Sequence, residues 1–308
     1  MHNFQLKTPV TFIIFKRPET TAKVFEAIRQ AKPPKLLVIA DGPREDRVGE
    51  AEKCTATRAI IDRIDWDCEV LKNYSEINLG CDQRVSSGLN WVFDQVEEAI
   101  ILEDDCLPHP TFFRFCEELL ERYRYDERIA SISGQNIQFG RKRTEYDYYF
   151  SRYNHIWGWA TWRRAWQYYD FNMELCLEIR ERDFFRDVLG DSQAVKIWTK
   201  LFQDIYNKKK YDSWDFKWQF FCWIHNRLGI LANVNLISNI GFVADSTHLS
   251  NRRSRYSNLP VEAIKFPLKH PPFMIRNMQA DNFTQKTLFS SLYPSLFQRF
   301  IWKIQKIL

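Results

Sequence analysis

Several features that would restrict function are missing from this 308-residue sequence. No stretch reaches the roughly 20 apolar residues that a membrane-spanning helix needs. Residues 1–8 lack the basic start and apolar run of a secretory signal peptide, so we expect a cytoplasmic protein. No low-complexity run occurs, and 45% of the residues are hydrophobic, which is enough for a sizeable globular core.

Glycine-rich phosphate-binding motifs are missing as well. Neither a P-loop nor a G-x-G-x-x-G fingerprint occurs among the ten glycines, which argues against kinases and dinucleotide enzymes. The net charge of +5 is too small and too dispersed to indicate a nucleic-acid partner, although it suits an anionic substrate or a lipid surface. None of the seven cysteines forms a C-x-x-C pair, so we expect reduced thiols in the core.

Apolar runs and amphipathic stretches alternate through the first part of the chain. The predicted strands are 10–15, 36–40, 68–72 and 99–102, and the predicted helices are 19–30, 48–64 and 83–96. Strands that alternate with helices of about a dozen residues predict an α/β fold, in which a mainly parallel central sheet has helices on both faces.

The pattern changes near residue 135. Aromatic residues crowd the stretch 146–166, and helical patterns follow at 178–188, 194–207 and 215–226. We expect a surface loop at 271–287 and a helix at 294–308 that docks on the body of the protein, with peripheral membrane contact as the alternative. The predicted parts are therefore an α/β half (1–135), an aromatic-rich half (136–260) and a C-terminal extension (261–308).

The most informative segment is an apolar strand that runs directly into Glu103, Asp104 and Asp105. Side chains of a strand alternate between its faces, so Glu103 and Asp105 should point one way and Asp104 the other. In open α/β sheets, ligands bind at the carboxyl ends of the strands, where a divalent cation would neutralise such a cluster and could be shared with a diphosphate. The alternative is a solvated turn whose acids favour the start of a helix near Pro110.

Several motifs, taken in order, resemble the GT-A glycosyltransferases, and most of all the N-acetylglucosaminyltransferase I group with its bacterial relatives. The resemblance runs from about residue 10 to residue 248. The motifs are the acidic triplet 103–105 followed by Pro110-Thr111-Phe112-Phe113, then Ile156-Trp157-Gly158-Trp159 followed by Arg163-Arg164-Ala165-Trp166, and later Trp214-Asp215. This resemblance implies a GT-A (Rossmann-like) fold, with the nucleotide sugar bound by residues 1–135 and catalysis and acceptor binding in residues 136–260. It also implies that sugar passes, with inversion, from a nucleotide sugar, expected to be a UDP-sugar, to a hydroxyl of a glycan or glycolipid acceptor.

The resemblance also implies roles for individual residues, together with Mn²⁺ or Mg²⁺ as the cofactor. Asp215 is the implied general base, which takes the proton of the acceptor hydroxyl. Asp105 is the implied metal ligand, and His248 binds the metal or the diphosphate unless its role is structural. The residues implied at the nucleotide or donor sugar are Arg17, Asp41, Arg84, Glu103, Asp104, Gly158 and Trp159.

Two other functions stay open at this point. A sugar nucleotidyltransferase would use a similar sheet, but the stretch 15–18 after the first strand has no glycine-rich phosphate loop. A carbohydrate- or nucleotide-binding protein without turnover would keep the aromatic half and dispense with the catalytic acids, whereas Asp215 and the acidic triplet are all present.

Overall fold

The central sheet is built from short apolar runs, as their composition predicts. The computed structural model describes residues 4–181, 183–208, 212–242 and 254–290. The strands of the main sheet are β1 (Val10–Ile14), β2 (Lys35–Ala40), β3 (Glu69–Tyr74), β4 (Glu98–Glu103), β6 (Ile129–Ser133), β7 (Tyr148–Ser151), β8 (Trp159–Trp162) and β9 (Leu228–Ala232). A separate two-stranded sheet pairs β5 (Cys106–Pro108) with β10 (Ile237–Asn239).

Helices connect and cover these strands. They are α1 (Pro18–Ala31), α2 (Glu50–Arg58), α3 (Cys81–Gln95), α4 (Thr111–Arg122), α5 (Arg163–Trp166), α6 (Cys176–Glu181), α7 (Phe184–Leu189), α8 (Ser192–Tyr206), α9 (Trp214–Ile224) and α10 (Met278–Thr284). Proline at the first position suits the start of α1, because its missing N–H has no partner there in any helix. Among the residues that the structure describes, no helix has both the length and the apolar character needed to cross a membrane.

Strand order explains which loops meet. The main sheet has the order β3-β2-β1-β4-β8-β6-β9-β7, and the first four strands are parallel. Strand β8 is antiparallel to both β4 and β6, so β6 runs in the same direction as β4. The loops that follow β1, β2, β4 and β6 therefore leave the sheet at one edge, which we call the carboxyl edge.

Alternate side chains of the strands feed two cores. In β2, Leu36 and Val38 pack with residues of α1 and α4 on one face, while Leu37 and Ile39 pack with α3 and α9 on the other. A third apolar cluster, rich in Phe and Trp, joins α6, α7, α8 and α9 beside the sheet. The predicted α/β fold with a mainly parallel central sheet and helices on both faces is confirmed.

Two predictions about the elements were wrong. The stretch 271–287 is not a surface loop, because α10 begins within it after Asn277, whose side chain accepts a hydrogen bond from the Ala280 N–H (2.9 Å). Its Asp281 is buried and accepts a hydrogen bond from the Ser151 hydroxyl (2.6 Å). The single helix predicted at 178–188 is two helices, α6 and α7, and Asp183 between them has a left-handed backbone (φ 52°).

Two further predictions lie outside the described residues: the C-terminal helix at 294–308 and the position of His248. All seven cysteines are described, and none of them is part of a disulfide.

Candidate active site at the carboxyl edge of the sheet

The acidic triplet, Arg17 and Asp41 all follow neighbouring parallel strands. Pairing of Ile13 with Glu103 and of Ile14 with Ala40 brings the ends of β1, β2 and β4 level with one another. Because these three strands are parallel, the residues that follow them share the carboxyl edge.

Arg17 supplies positive charge to the triplet. Its Nη1 donates to Asp105 Oδ2 (2.8 Å), and its Nη2 donates to Asp104 Oδ1. Asp104 and Asp105 are only 2% and 6% exposed, so this ion pair is shielded from water. Burial alone would lower the pKa of Arg17, but the charges of Asp104 and Asp105 outweigh it and raise that pKa. The Arg17 guanidinium therefore neutralises part of the negative charge of the acidic triplet.

Glu103 differs from its two neighbours. Within the described part of the chain, no hydrogen-bond donor is bound to its carboxylate. Burial, followed by the charges of Asp105 and Asp104, raises the pKa of Glu103 to about 8, and the charge of Asp215 contributes in the same direction. Glu103 is thus the acid of the triplet that is not engaged by Arg17.

The described side chains do not fit a divalent cation in this arrangement. Among them, no three His, Cys, Asp or Glu side chains are grouped as a metal would require. Asp105 uses one carboxylate oxygen for Arg17 and accepts the Cys106 thiol hydrogen with the other (3.5 Å). The second metal ligand implied by the resemblance, His248, lies outside the described residues.

Gly241 is a site residue that the sequence analysis passed over. A Cβ atom at this position would lie 2.1 Å from Asp105 Oδ2 and 2.8 Å from Arg17 Nη1. Only glycine allows the chain after β10 to approach the ion pair so closely. The sequence shows a glycine shortly after the apolar run that forms β10, but it does not show that this glycine packs against Asp105 and Arg17.

The predicted base lies close to the triplet. Asp215 is in the first turn of α9 and accepts a hydrogen bond from the Ser213 hydroxyl. Its charge raises the pKa of Glu103, and burial together with Glu103 and Asp215 raises that of the Cys81 thiol. Trp214, the neighbour of Asp215, stacks on Trp159, which pairs with Ile101 of β4. The start of α9 therefore lies at the end of β4, although 112 positions separate Asp215 from Glu103 in the sequence.

Contacts between α3 and α9 hold Asp215 at this position. Asp212 accepts hydrogen bonds from the backbone N–H groups of Cys81 (3.1 Å) and Asp82 (3.0 Å), at the start of α3. On the other side of Asp215, Lys217 Nζ donates to Asp82 Oδ2 (2.5 Å) in a buried ion pair. A carboxylate is favourable at a helix N-terminus, so Asp212 fixes the segment that leads into α9. Sequence reasoning found neither contact.

Asp41 and Arg84 are bound by their own surroundings. The Asp41 carboxylate accepts from the N–H groups of Gly42, Leu79 and Gly80 and from Asn78 Nδ2, at 2.9–3.1 Å. Burial raises its pKa despite these bonds. Arg84 donates to the carbonyl and side-chain oxygens of Asn73, both at 2.5 Å. Asp41 thus fixes the loop before α3, and contact of either residue with a nucleotide stays a prediction.

The predicted Gly158 and Trp159 are packed against protein. A Cβ at Gly158, where φ is +62°, would lie 2.3 Å from the side chain of Ile237. Trp159 is 1% exposed and stacks on Trp214, with ring centroids 5.7 Å apart. Neither residue offers a free surface to a donor sugar in this structure, so their donor contacts stay predictions. Trp157 is partly exposed beside Phe242 and is the ring of this motif that a ligand could reach.

Comparison with known proteins adds structural likenesses of low similarity. No protein-family model matches the sequence, and no curated protein sequence matches it. A cytidylyltransferase from Leptospira borgpetersenii is 10% identical (TM-score 0.32) over 52% of this chain, which spans 63% of that protein. An apo UDP-glucose pyrophosphorylase is 8% identical (TM-score 0.36), with 72% and 90% of the two chains covered. Mouse xyloside xylosyltransferase 1 is 9% identical (TM-score 0.34), with 70% and 81% covered. Likenesses at this level assign no activity, so function must be argued from the site itself.

Proposed function

We propose that this protein is a glycosyltransferase that moves a sugar from a nucleoside diphosphate sugar to a hydroxyl group of a glycan or glycolipid. The observation that carries the proposal is the packing of the start of α9, which bears Asp215, at the carboxyl edge, where open α/β sheets bind their ligands. Trp214 stacks on Trp159, and Trp159 pairs with Ile101, two positions before Glu103. Of the motifs that resemble the GT-A enzymes, the acidic triplet and Gly158 lie at this edge, whereas Arg163–Trp166 follows the antiparallel strand β8 and lies at the opposite edge.

Asp215 is the proposed general base. An acceptor hydroxyl is a weak nucleophile until a base takes its proton as the new bond forms. In this step the acceptor oxygen bonds to the anomeric carbon, the bond from that carbon to the diphosphate oxygen breaks, and the hydroxyl proton passes to Asp215. The nucleoside diphosphate leaves with the bonding electron pair, and direct displacement inverts the anomeric centre.

Arg17 is proposed to act at the donor side of the same step. Arg17 follows β1, and its side chain is about one-fifth exposed although it pairs with Asp104 and Asp105. Guanidinium groups bind phosphate oxygens through paired hydrogen bonds. Arg17 is thus placed to stabilise the negative charge that develops on the departing diphosphate.

A requirement for Mn²⁺ or Mg²⁺ stays a prediction. Such an ion would supply further positive charge to the leaving group. The described carboxylates do not form a ligand set for this ion while Asp104 and Asp105 are bound to Arg17. Measurement of turnover with EDTA, and then with added Mn²⁺, tests this prediction directly.

A donor screen tests the proposed function. UDP-, GDP- and dTDP-sugars are incubated with the purified protein, and release of free sugar and nucleoside diphosphate is measured by chromatography. We expect hydrolysis of at least one donor, because water can replace the acceptor at a site that holds a base beside a diphosphate. Binding of nucleotide without hydrolysis or transfer would indicate a binding protein. Formation of nucleoside triphosphate and sugar 1-phosphate after addition of pyrophosphate would indicate a nucleotidyltransferase.

A further inference from the structure

Three arginines from distant parts of the sequence stack on two neighbouring aromatic rings. Arg141 and Arg143 follow β6, and Arg255 lies more than 100 positions later in the sequence. The Arg255 guanidinium lies 4.1 Å from the ring centroid of Phe139. Those of Arg141 and Arg143 lie 4.7 and 5.2 Å from the ring centroid of Phe283. The two rings contact each other edge to face, with centroids 6.2 Å apart. We call Phe139, Arg141, Arg143, Arg255 and Phe283 the arginine–aromatic cluster.

The three arginines of this cluster have no carboxylate partner among the residues that the structure describes. Arg141 and Arg143 each donate one hydrogen bond to Gln138, which leaves most of their N–H groups available. Stacking on aromatic rings holds guanidinium groups in place and leaves their edges free for a ligand. Three like charges held together in this way repel one another, and a bound anion would remove that cost.

The backbone beneath the cluster is strained. Phe139 has a left-handed conformation (φ 52°), which is unusual for a bulky residue, and Gly140 follows with φ 78°. Such a conformation is unfavourable for a residue with a side chain and persists only when its surroundings impose it. The preceding residue, Gln138, is buried and anchored, because its Nε2 donates to the Thr284 hydroxyl (3.1 Å). In this backbone conformation the Phe139 ring lies against the Arg255 guanidinium.

The cluster lies at the same edge of the sheet as the candidate active site. Residues 139–143 follow β6, which runs parallel to β4, so both strands end at the carboxyl edge. The segment with Arg255 is tied to this edge, because the Asn258 N–H donates to the Asn239 carbonyl (3.0 Å). The adjacent Ile240 N–H donates to the Asp105 carbonyl (2.9 Å). The cluster is thus beyond the acidic triplet, on the side away from β2 and Asp41.

We propose that the arginine–aromatic cluster binds an anionic group, a phosphate or a carboxylate, carried by the acceptor sugar. This inference rests on the proposed function and specifies its acceptor. Both groups present two oxygens that match the paired N–H groups of arginine. The donor diphosphate is an unsuitable occupant, because the proposed donor side lies at β1 and β2, on the other side of β4.

A binding experiment with sugar probes tests this proposal. Ligand-observed NMR compares glucose 6-phosphate and glucuronic acid with neutral glucose, in the presence of saturating UDP so that the donor side is filled. The variant carries Arg143→Gln and Arg255→Gln, and the control is Arg128→Gln. Arg128 is exposed, pairs with Asp126 and immediately precedes β6, so it lies at the opposite edge of the sheet.

We expect the wild type and the control to bind at least one anionic sugar about tenfold more tightly than glucose. The double variant should lose this preference and keep donor hydrolysis at the wild-type rate. The proposal is overturned if the wild type shows no preference or if the double variant retains it. It is also overturned if the substitutions abolish only sedimentation with phosphatidylglycerol vesicles, because the cluster would then bind a lipid surface. Absence of donor hydrolysis in the wild type would count against the proposed function. The sugar-binding comparison would still show whether the arginine–aromatic cluster binds an anionic group.

Discussion

Arg17 is the side chain on which the charge balance of the acidic triplet depends. It is largely buried and pairs with Asp104 and Asp105, neither of which has much access to water. Substitution Arg17→Ala would leave two buried carboxylates without their cation. Breaking a buried ion pair from one side costs about 3 kcal/mol, so we expect a loss of that size in the free energy of unfolding measured with urea.

The matched control for this prediction is Arg29→Ala. Arg29 pairs with Asp65 on the surface, where both side chains are about half exposed. Solvent screens such a pair, and its loss should have a much smaller effect on stability. Equal stability of the two variants would show that Arg17 does not neutralise the triplet.

His155 provides a pH-dependent test of packing near the aromatic segment. It is 5% exposed, and burial lowers its pKa to about 4, whereas an unfolded chain has a histidine pKa of about 6.5. Between these values only the unfolded state takes up the proton, so stability is complete above pH 6.5 and is lost as the pH falls towards 4. The loss amounts to about 3 kcal/mol over this window.

Urea unfolding at pH 7 and pH 5 measures this effect. We expect the wild type to lose about 2 kcal/mol between these two conditions through His155, and His155→Gln to lose correspondingly less. The same pH dependence in both proteins would mean that His155 is not buried in its neutral form.

Individual side chains were only partly predictable from sequence. Arg17 lies beside two acids of the triplet, and the resemblance had implied both at the donor site. The binding and catalytic roles of these residues and of Asp215 stay predictions. That Arg17 binds two of the acids could not be predicted, because such pairing depends on how the loops after β1 and β4 pack. For the same reason the sequence could not indicate that Asp41 is occupied by the loop at 78–80.

The junction of α3 with α9 makes a prediction about helix placement. Asp212 binds the first N–H groups of α3 and lies three positions before Asp215. Asp212→Ala should cost about 1 kcal/mol of stability, as loss of a helix cap does. It should also lower kcat more than it changes the KM for the donor, because the segment that carries the proposed base loses its anchor.

Asp191→Ala is the matched control for Asp212→Ala. Asp191 caps α8, where its carboxylate accepts from the Ala194 N–H (2.7 Å), and α8 packs in the helical cluster beside the sheet. The two variants should lose similar stability, and only Asp212→Ala should lose turnover, with partial recovery in Asp212→Asn. Equal turnover in the two alanine variants would rule out a positioning role for Asp212.

Helices and strands of the first half were predictable because their patterns are local. The predicted helix at 19–30 matches α1 within a residue at each end, and the strand at 36–40 matches β2 as closely. Strands β6, β7, β8 and β9 were not predicted. Nearly all of their residues are buried, whichever face they lie on, so no alternation of exposed polar and buried apolar side chains marks them. The order in which these strands join the sheet is a tertiary property that no local pattern encodes.

The described part of the molecule brings several candidate site residues to one edge of one sheet. Parallel strands β1, β2 and β4 deliver Arg17, Asp41 and the acidic triplet to that edge, and the packing of α9 on α3 adds Asp215. The proposed function depends on this convergence, and its central claim is that Asp215 acts on an acceptor hydroxyl beside a bound donor.

The most direct test compares wild-type protein with Asp215→Asn, using the donor identified in the screen. Donor affinity is measured by calorimetry, and turnover is measured by release of the nucleoside diphosphate. We predict that Asp215→Asn binds the donor as the wild type does and that its kcat falls by about 10²- to 10⁴-fold, the usual contribution of a general base. Wild-type turnover in Asp215→Asn would contradict the assignment.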